Sequence, residues 1–279
     1  MRWRDLVSEL NARLGPPEAG FAIESVTGRR PSALALVLDE QVDPSVAEEA
    51  RRIAGRVELG EPLQHVLGRW GFRTVDLFVD DRALIPRPET EIVVEHALAE
   101  LDRDPGPAPI VLDLGVGSGA IACALAAEHL SVRVIGVDRS LEALCLAAKN
   151  RASLGRAGAR VHLLASDWYG ALGGALEHRV KVIVSNPPYL SEAEWRDAPA
   201  VVREWDPYDA LVGGQEGTEA YAALIAGAPR YLEPGGALVL EIGSSQAGAI
   251  EAIGVQAGAV SCAISPDLAG RPRVAALSW

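Results

Sequence analysis

Residues 110–130 read "IVLDLGVGSGAIACALAAEHL". Ile110 to Leu114 form a short, mostly apolar run, as a strand buried on both faces requires. Gly115, Gly117 and Gly119 break the run, and "AIACALAAEHL" then has the length and composition of a buried helix. A strand, a glycine-rich turn and a helix in this order open a strand–helix–strand unit, whose next strand lies parallel to the first.

The rest of the chain repeats that alternation. "RVIGVD" reads as a strand and "LEALCLAAKNRASLG" as a helix stopped by Gly155. "VHLLASD", "KVIVSNPP", "GALVLEIG", "VSCAISPD" and "VAALSW" supply further strands. The pattern predicts an α/β domain with a mostly parallel sheet and helices on both faces. It carries no internal repeat and no low-complexity tract.

Upstream the texture differs. Trp3, Leu6, Val7, Leu10 and Leu14 fall on one helical face. Asp43-Pro44 opens another helix, along which Val46, Ala50, Ile53, Ala54 and Val57 recur, with Gly60 as its stop. Residues 1–70 are therefore expected to form a small helical domain. Residues 71–92, with Phe72, Val75, Leu77 and Val79 suggesting extended chain and Pro86 and Pro88 holding Arg87 extended, are expected to be a linker or a hairpin. The α/β domain is expected over 93–279.

Composition bounds the function. The 279 residues include 26 Lys and Arg against 38 Asp and Glu, a net charge of −12. That balance argues against direct nucleic-acid binding and against an anionic membrane surface, both of which call for a basic face. Cys123, Cys145 and Cys262 are far apart, form no CxxC pair, and read as reduced core residues of a cytoplasmic protein. His65, His96, His129, His162 and His178 have no ligand spacing, so no metal is expected. "MRWRDLVSELNARL" breaks its apolar residues with charge and does not read as a signal peptide. No stretch is long and apolar enough to span a bilayer.

The glycine loop, Gly115-Val116-Gly117-Ser118-Gly119, is the first candidate site. Glycines let the backbone turn tightly and approach a ligand that meets free amides at the helix start. With Ala120 the loop also satisfies the dinucleotide pattern G-x-G-x-x-G/A, and a tight turn without a ligand is the plainer alternative. Asp138 ends the second strand, where a carboxylate suits ribose hydroxyls; the alternative is a helix N-cap. Asp167 and Trp168 end the third strand, where acid and ring could hold an adenine by edge and face; the alternative is a turn Asp beside a packing Trp. These strand ends share one edge of the sheet, where open α/β folds bind ligands.

The fourth strand runs into Asn186-Pro187-Pro188-Tyr189. The Asn186 side-chain carbonyl and the Pro187 backbone carbonyl are two acceptors in a rigid corner. They suit a planar –NH2 group, with the Tyr189 ring packing against it. An amide or aromatic amine nitrogen is a poor nucleophile because its lone pair is delocalised. Binding both of its hydrogens aligns the nitrogen with an electrophile, which is catalysis by orientation and preorganisation. The plainer alternative is a proline turn with Asn186 capping it.

Together these motifs resemble the release factor glutamine methyltransferases, the PrmC/HemK family. "EPLQHVLG", "LIPRPETE", "VLDLGVGSGAIACALA", "GVDRS", "ASDWYGAL", "VSNPPYL", "DPYDALVGGQEG", "LEPGGALVLEIG" and "DLAGRPRV" are similar to family signatures and follow the family order. The resemblance implies a helical domain that docks the protein substrate, joined to a Rossmann-like seven-stranded methyltransferase domain. It implies methyl transfer from S-adenosylmethionine, leaving S-adenosylhomocysteine, to N5 of the glutamine in the Gly-Gly-Gln loop of class I peptide chain release factors. By the same resemblance Gly115 to Gly119 line the methionine part of the cofactor, Asp138 takes the ribose, and Trp168 lies against the adenine with Asp167 nearby. Asn186, Pro187, Pro188 and Tyr189 hold the glutamine amide, with Asn186, Pro187 and Tyr189 catalytic, and Asn186 also borders the cofactor. A cytoplasmic monomer is expected.

The chain departs from the pattern at Val116, where Thr is common, and at Asp206, where Glu is usual. Gly213-Gly214-Gln215 spells the supposed substrate motif within the chain itself, a three-residue match to which self-methylation is not attached. Arg87, Glu89 and Glu91 either line the cleft or belong to a solvated linker. Competing readings are an N6-adenine DNA or RNA methyltransferase using the same corner, an NAD-dependent dehydrogenase using the glycine loop, and a binding module without catalysis.

Overall fold

The computed structural model describes residues 1–103 and 106–279. It divides into two compact units, Met1–Arg69 and Trp70–Trp279.

The first unit is helical. Helices α1 (Trp3–Leu14), α2 (Pro16–Thr27) and α3 (Pro44–Glu58) carry most of it, with short turns of helix at Pro31–Leu34 and Leu63–Leu67. The apolar spacing of α1 buries Trp3, Leu6 and Leu10. Asp43 caps α3, its carboxylate accepting from the Ser45 N–H at 2.8 Å, and Pro44 occupies the first turn, where its missing donor costs nothing.

The second unit is built on a seven-stranded sheet. Its strands are β1 (Ile110–Leu114), β2 (Arg133–Asp138), β3 (Val161–Ala165), β4 (Val180–Ser185), β5 (Leu232–Glu241), β6 (Ser261–Pro266) and β7 (Pro272–Ser278). They lie in the order β6-β7-β5-β4-β1-β2-β3. Strands β5, β4, β1, β2 and β3 run parallel, and β7 returns antiparallel between β5 and β6. The helices are α4 (Thr90–Arg103), α5 (Ala120–Glu128), α6 (Leu141–Ser153), α7 (Glu219–Tyr231) and α8 (Ala247–Gln256).

The two-residue period of a strand sends neighbours to opposite faces. Val182 and Val184 enter one core, with Val93, Val94, Ala97 and Leu101 of α4 and Ile121 and Leu125 of α5. Ile183, between them, enters the other, with Tyr221, Leu224 and Ile225 of α7 and Ile250 of α8. Both faces being covered explains why β4 is buried at every position and why its sequence shows no alternation.

Residues 71–92, expected as a linker or hairpin, belong to this second unit. Arg69–Phe72 pairs with Val75–Phe78 in a two-stranded sheet, and Phe72, Val75 and Leu77 are buried in the α4–α5 core. The Arg73 guanidinium clamps Glu128 with two bonds, 2.8 and 2.7 Å long, and the Arg73 N–H donates to Glu91 at 2.9 Å. Among the cysteines, Cys123 is buried but Cys145 is exposed. The expectation that all three are core residues fails at Cys145, which lies on the solvent side of α6.

Candidate active site

The parallel strands deliver their C-terminal ends to one edge, and there a cleft of about 1150 Å³ opens. Its walls combine the glycine loop, Asp138, Asp167, Trp168, Asn186 and Pro188 with Arg82 to Arg87, Thr90 and the 207–214 segment. Sequence-distant motifs thus converge on one cavity because each sits just past a strand end.

The loop turns through positive φ at Gly115 (76°), Gly117 (53°) and Gly119 (84°), conformations costly for any side chain. Gly115 and Val116 donate to the Val137 carbonyl at 2.8 and 2.9 Å, tying the loop to β2. Gly115 lies under the Trp168 ring, where a Cβ would stand 3.5 Å from Cζ3. Gly119 does not line the cleft; a Cβ there would press Ala147 of α6 at 3.3 Å, so this glycine permits close helix packing. Val116 is largely buried and fills the space beside Gly136, where a Cβ would come within 2.7 Å of Val116 Cγ2. Its missing hydroxyl is therefore replaced by core packing. Ser118 is buried, and its carbonyl accepts from Asn150 Nδ2 at 2.8 Å.

Asp138 is not the cap of α6; Ser140 is, accepting from the Ala143 N–H. The Asp138 carboxylate instead accepts from the Gly117 N–H at 2.8 Å and the Ser140 N–H at 2.9 Å. It stitches the glycine loop to the end of β2 and keeps lone pairs for further donors. Trp168 is half buried with φ +43°, a sparsely populated conformation for a bulky residue. Asp167 beside it is exposed at the cleft.

At the fourth strand end Asn186 is half buried, Pro187 is buried, and Pro188 lines the cleft. Asn186 Nδ2 donates to Thr90 Oγ1 at 3.1 Å, and its carbonyl oxygen has no partner among the described residues. Thr90 Oγ1 in turn donates to Glu241 Oε2 at 2.6 Å. Tyr189 is set back from the cleft, its hydroxyl 3.5 Å from Glu241 Oε1. Burial pushes the Glu241 carboxyl up to about 7, against the pull of Thr90 and Arg273. Burial, with Glu241 adding to it, pushes the Tyr189 phenol up to about 12, so it stays protonated near neutrality.

Sequence reasoning missed Thr90 and Glu241. Glu241 had a signal: a carboxylate ending the apolar run "GALVLEIG" stands where Asp138 stands after "RVIGV". Thr90 had none beyond its place at a helix start. Of the unassigned "LIPRPETE" residues, Arg87 pairs with the buried Asp206 at 2.9 Å and lines the cleft. Glu91 holds the Arg73 turn, and Glu89 is half buried near Tyr189 and Glu241. Gly213 and Gly214 line the cleft, whereas Gln215 is exposed and outside its lining.

Chemically, the cleft offers a polar and apolar lining that includes the Asn186 side-chain carbonyl, which has no partner among the described residues. The loop approaches to backbone distance, the Trp168 ring covers it, and the carboxylates of Asp138 and Asp167 border it. This fits a nucleoside bearing a short zwitterionic tail. Among the described residues no group of three or more His, Cys, Asp or Glu is arranged to hold a metal ion.

Comparison with known proteins agrees in kind. The family model for the methyltransferase small domain matches residues 90–203. The release factor glutamine methyltransferase of Cereibacter sphaeroides is 39% identical over 252 residues, 88% of this chain and 84% of that protein. Its namesake in Geobacter sulfurreducens is 37% identical over 271 residues, 95% of this chain and 88% of that protein. The Escherichia coli one is 36% identical over 256 residues, 91% and 89% of the two chains. Among solved structures, the hMettl16 catalytic domain in complex with a hairpin of the MAT2A 3'UTR superposes with a TM-score of 0.57 at 16% identity. That match covers 79% of this chain and 81% of that chain and speaks to the fold alone. With relatives this similar over nearly their whole length, the chain belongs to the release factor glutamine methyltransferase family.

Proposed function

We propose that this protein transfers a methyl group from S-adenosylmethionine to N5 of the glutamine in the Gly-Gly-Gln loop of class I peptide chain release factors. One observation carries the reading: Asn186, at the cleft, spends its NH2 on Thr90, and its side-chain carbonyl oxygen has no partner among the described residues. Family membership supports the substrate. Free cysteines support a reducing, cytoplasmic setting, and the net charge of −12 supports a protein rather than a nucleic-acid acceptor.

S-adenosylmethionine supplies an electrophilic methyl carbon on a sulfonium. In this reading Gly115, Val116, Gly117 and Ser118 border its methionine part, Asp138 receives the ribose hydroxyls, and Trp168 and Asp167 hold the adenine. Gly119 contributes through the packing of the loop. Asn186 Oδ1 and the Pro187 carbonyl accept the two hydrogens of the substrate amide, and Pro188 and Tyr189 shape the wall behind it. Holding both hydrogens orients the nitrogen lone pair toward the methyl carbon. The N–C bond would form as the methyl–sulfonium bond breaks, leaving S-adenosylhomocysteine, and one amide proton would pass to solvent. Residues 1–70 dock the release factor, and the enzyme works as a monomer.

Mass spectrometry of a purified class I release factor, incubated with the protein and S-adenosylmethionine, tests this. One added methyl on the Gly-Gly-Gln glutamine is expected, with Asn186→Ala slower by at least about 100-fold. An unmodified release factor, with adenine in DNA or RNA methylated instead, would sink the substrate assignment.

A further inference from the structure

We propose that Thr90 and Glu241 are positioning residues for methyl transfer, fixing the Asn186 amide with its carbonyl oxygen toward the substrate. The inference rests on the reading of Asn186 as the acceptor of the substrate –NH2 group.

The argument is one of hydrogen-bond direction. An ionised carboxylate only accepts. Thr90 must then give its single hydrogen to Glu241 Oε2, at 2.6 Å. With that hydrogen committed, Thr90 Oγ1 offers Asn186 nothing but lone pairs. Asn186 answers with its NH2 at 3.1 Å, and its oxygen is left for the cleft. A flipped amide would set two oxygens against each other at Thr90 and aim two N–H donors at the substrate's own donors.

The chain is built to hold. Glu241 is 2% exposed at the end of β5, and Thr90 is 4% exposed at the start of α4. The pair joins elements 151 residues apart. Thr90 borders the cleft and Glu241 lies behind it; neither is a reacting group, and both act through Asn186.

Protonation of Glu241 would undo the direction. A carboxylic acid can donate to Thr90, freeing the threonine hydrogen for Asn186 Oδ1 and permitting the flip. The groups facing Glu241 are the Thr90 hydroxyl at the start of α4, Glu89 just before it, and Tyr189 from the corner. Arg273 faces it from β7 and Tyr221 from α7, and Arg273 also pairs with Asp267 at 3.7 Å. Burial and Glu89 raise its carboxyl, Arg273 and the two hydroxyls lower it, and the balance lies at about 7. The competent orientation therefore gains population as pH rises through that value.

The test uses the full-length protein, a purified class I release factor as acceptor, and the variants Thr90→Val, Thr90→Ser, Glu241→Gln and Asn186→Ala. Thr90→Val keeps the shape and loses the hydroxyl; kcat is expected to fall at least about tenfold, with S-adenosylmethionine affinity within about threefold by calorimetry. Thr90→Ser restores the hydroxyl and is expected within about threefold of the wild-type kcat. The wild-type kcat is expected to rise between pH 6 and pH 8. In Glu241→Gln, whose amide does not titrate, that rise disappears.

Asn186→Ala at the wild-type rate would overturn the reading of Asn186 itself. With Asn186→Ala inactive, the positioning proposal is overturned separately by any of three results. These are a wild-type kcat in Thr90→Val, equal losses in the valine and serine variants, or an unchanged pH profile in Glu241→Gln.

Discussion

Asp113 carries its carboxyl into full burial in the middle of the sheet, 1% exposed. Its Oδ2 accepts from the Ala122 N–H at 3.0 Å, and Oδ1 has no partner among the described residues. Burial pushes the group up to about 7, the Ala122 bond opposes, and Asp138 adds to the rise. A carboxyl raised in this way binds its proton more tightly folded than unfolded. Its contribution to stability is therefore largest at acid pH and falls as pH climbs from about 4 to about 7. Glu241 moves in the same direction. Asp113→Asn keeps an acceptor and removes the charge. It is expected to raise stability by about 1–3 kcal/mol at pH 8 relative to its effect at pH 5. Thermal unfolding at both pH values measures the difference, and equal shifts at the two would refute the buried charge. The legibility of single residues follows from how their partners are spaced. Gly115, Asp138 and Asn186 could be read because each belongs to a contiguous motif at a strand end. Thr90 and Glu241 could not, because their meaning is a bond between residues 151 positions apart.

The corner that holds Asn186 owes its rigidity to more than prolines. Leu190–Ser191 pairs in parallel with Val212–Gly214, and the returning segment is seated on the corner's backbone. A Cβ on Gly213 would come within 2.3 Å of the Pro188 carbonyl oxygen, and one on Gly217 within 2.5 Å of the Tyr189 carbonyl oxygen. Gln246 Nε2 ties the same Tyr189 carbonyl to the start of α8 at 2.9 Å. Gly213→Ala must therefore displace the corner. A kcat at least about tenfold lower is expected, with cofactor affinity changed less than about threefold, since the glycine loop and Asp138 belong to other strands. Single-turnover rates and calorimetry separate the two quantities, and an unchanged rate would show the corner to be pliant. The sequence announced the seven long strands through their apolar runs. It did not announce this short pairing or the small helices Glu192–Asp197, Ala200–Trp205 and Tyr208–Leu211. Elements of a few residues are set by tertiary bonds, such as Tyr208 to Glu192 at 2.6 Å, rather than by periodicity. Residues 71–78 were ambiguous for a related reason: Arg73 and Asp76 look solvated, while Phe72, Val75 and Leu77 fill a core.

Across the whole chain, the division of the apolar residues carries a functional consequence. The clusters around Leu6, Ile23 and Ala50, and around Ala22, Ile53 and Leu63, draw only on the first unit. The cores around Val93 and Val182, and around Ile183 and Leu224, draw only on residues from Phe72 onward. The cleft, too, is lined wholly by residues between Arg82 and Ala220. A domain that owns its core and its cavity folds and binds its small ligand alone. A fragment comprising residues 70–279 is thus expected to bind S-adenosylmethionine within about threefold of the full chain, with a single cooperative unfolding transition. If residues 1–70 dock the release factor, the fragment loses recognition rather than chemistry. Its KM for the release factor is expected to rise at least about tenfold, with kcat at saturating substrate changed less than about threefold, the pattern of lost uniform binding. Steady-state kinetics with a titrated release factor decide it. An unchanged KM would take docking away from the first unit, and a collapsed kcat with cofactor binding intact would make that unit part of the catalytic geometry.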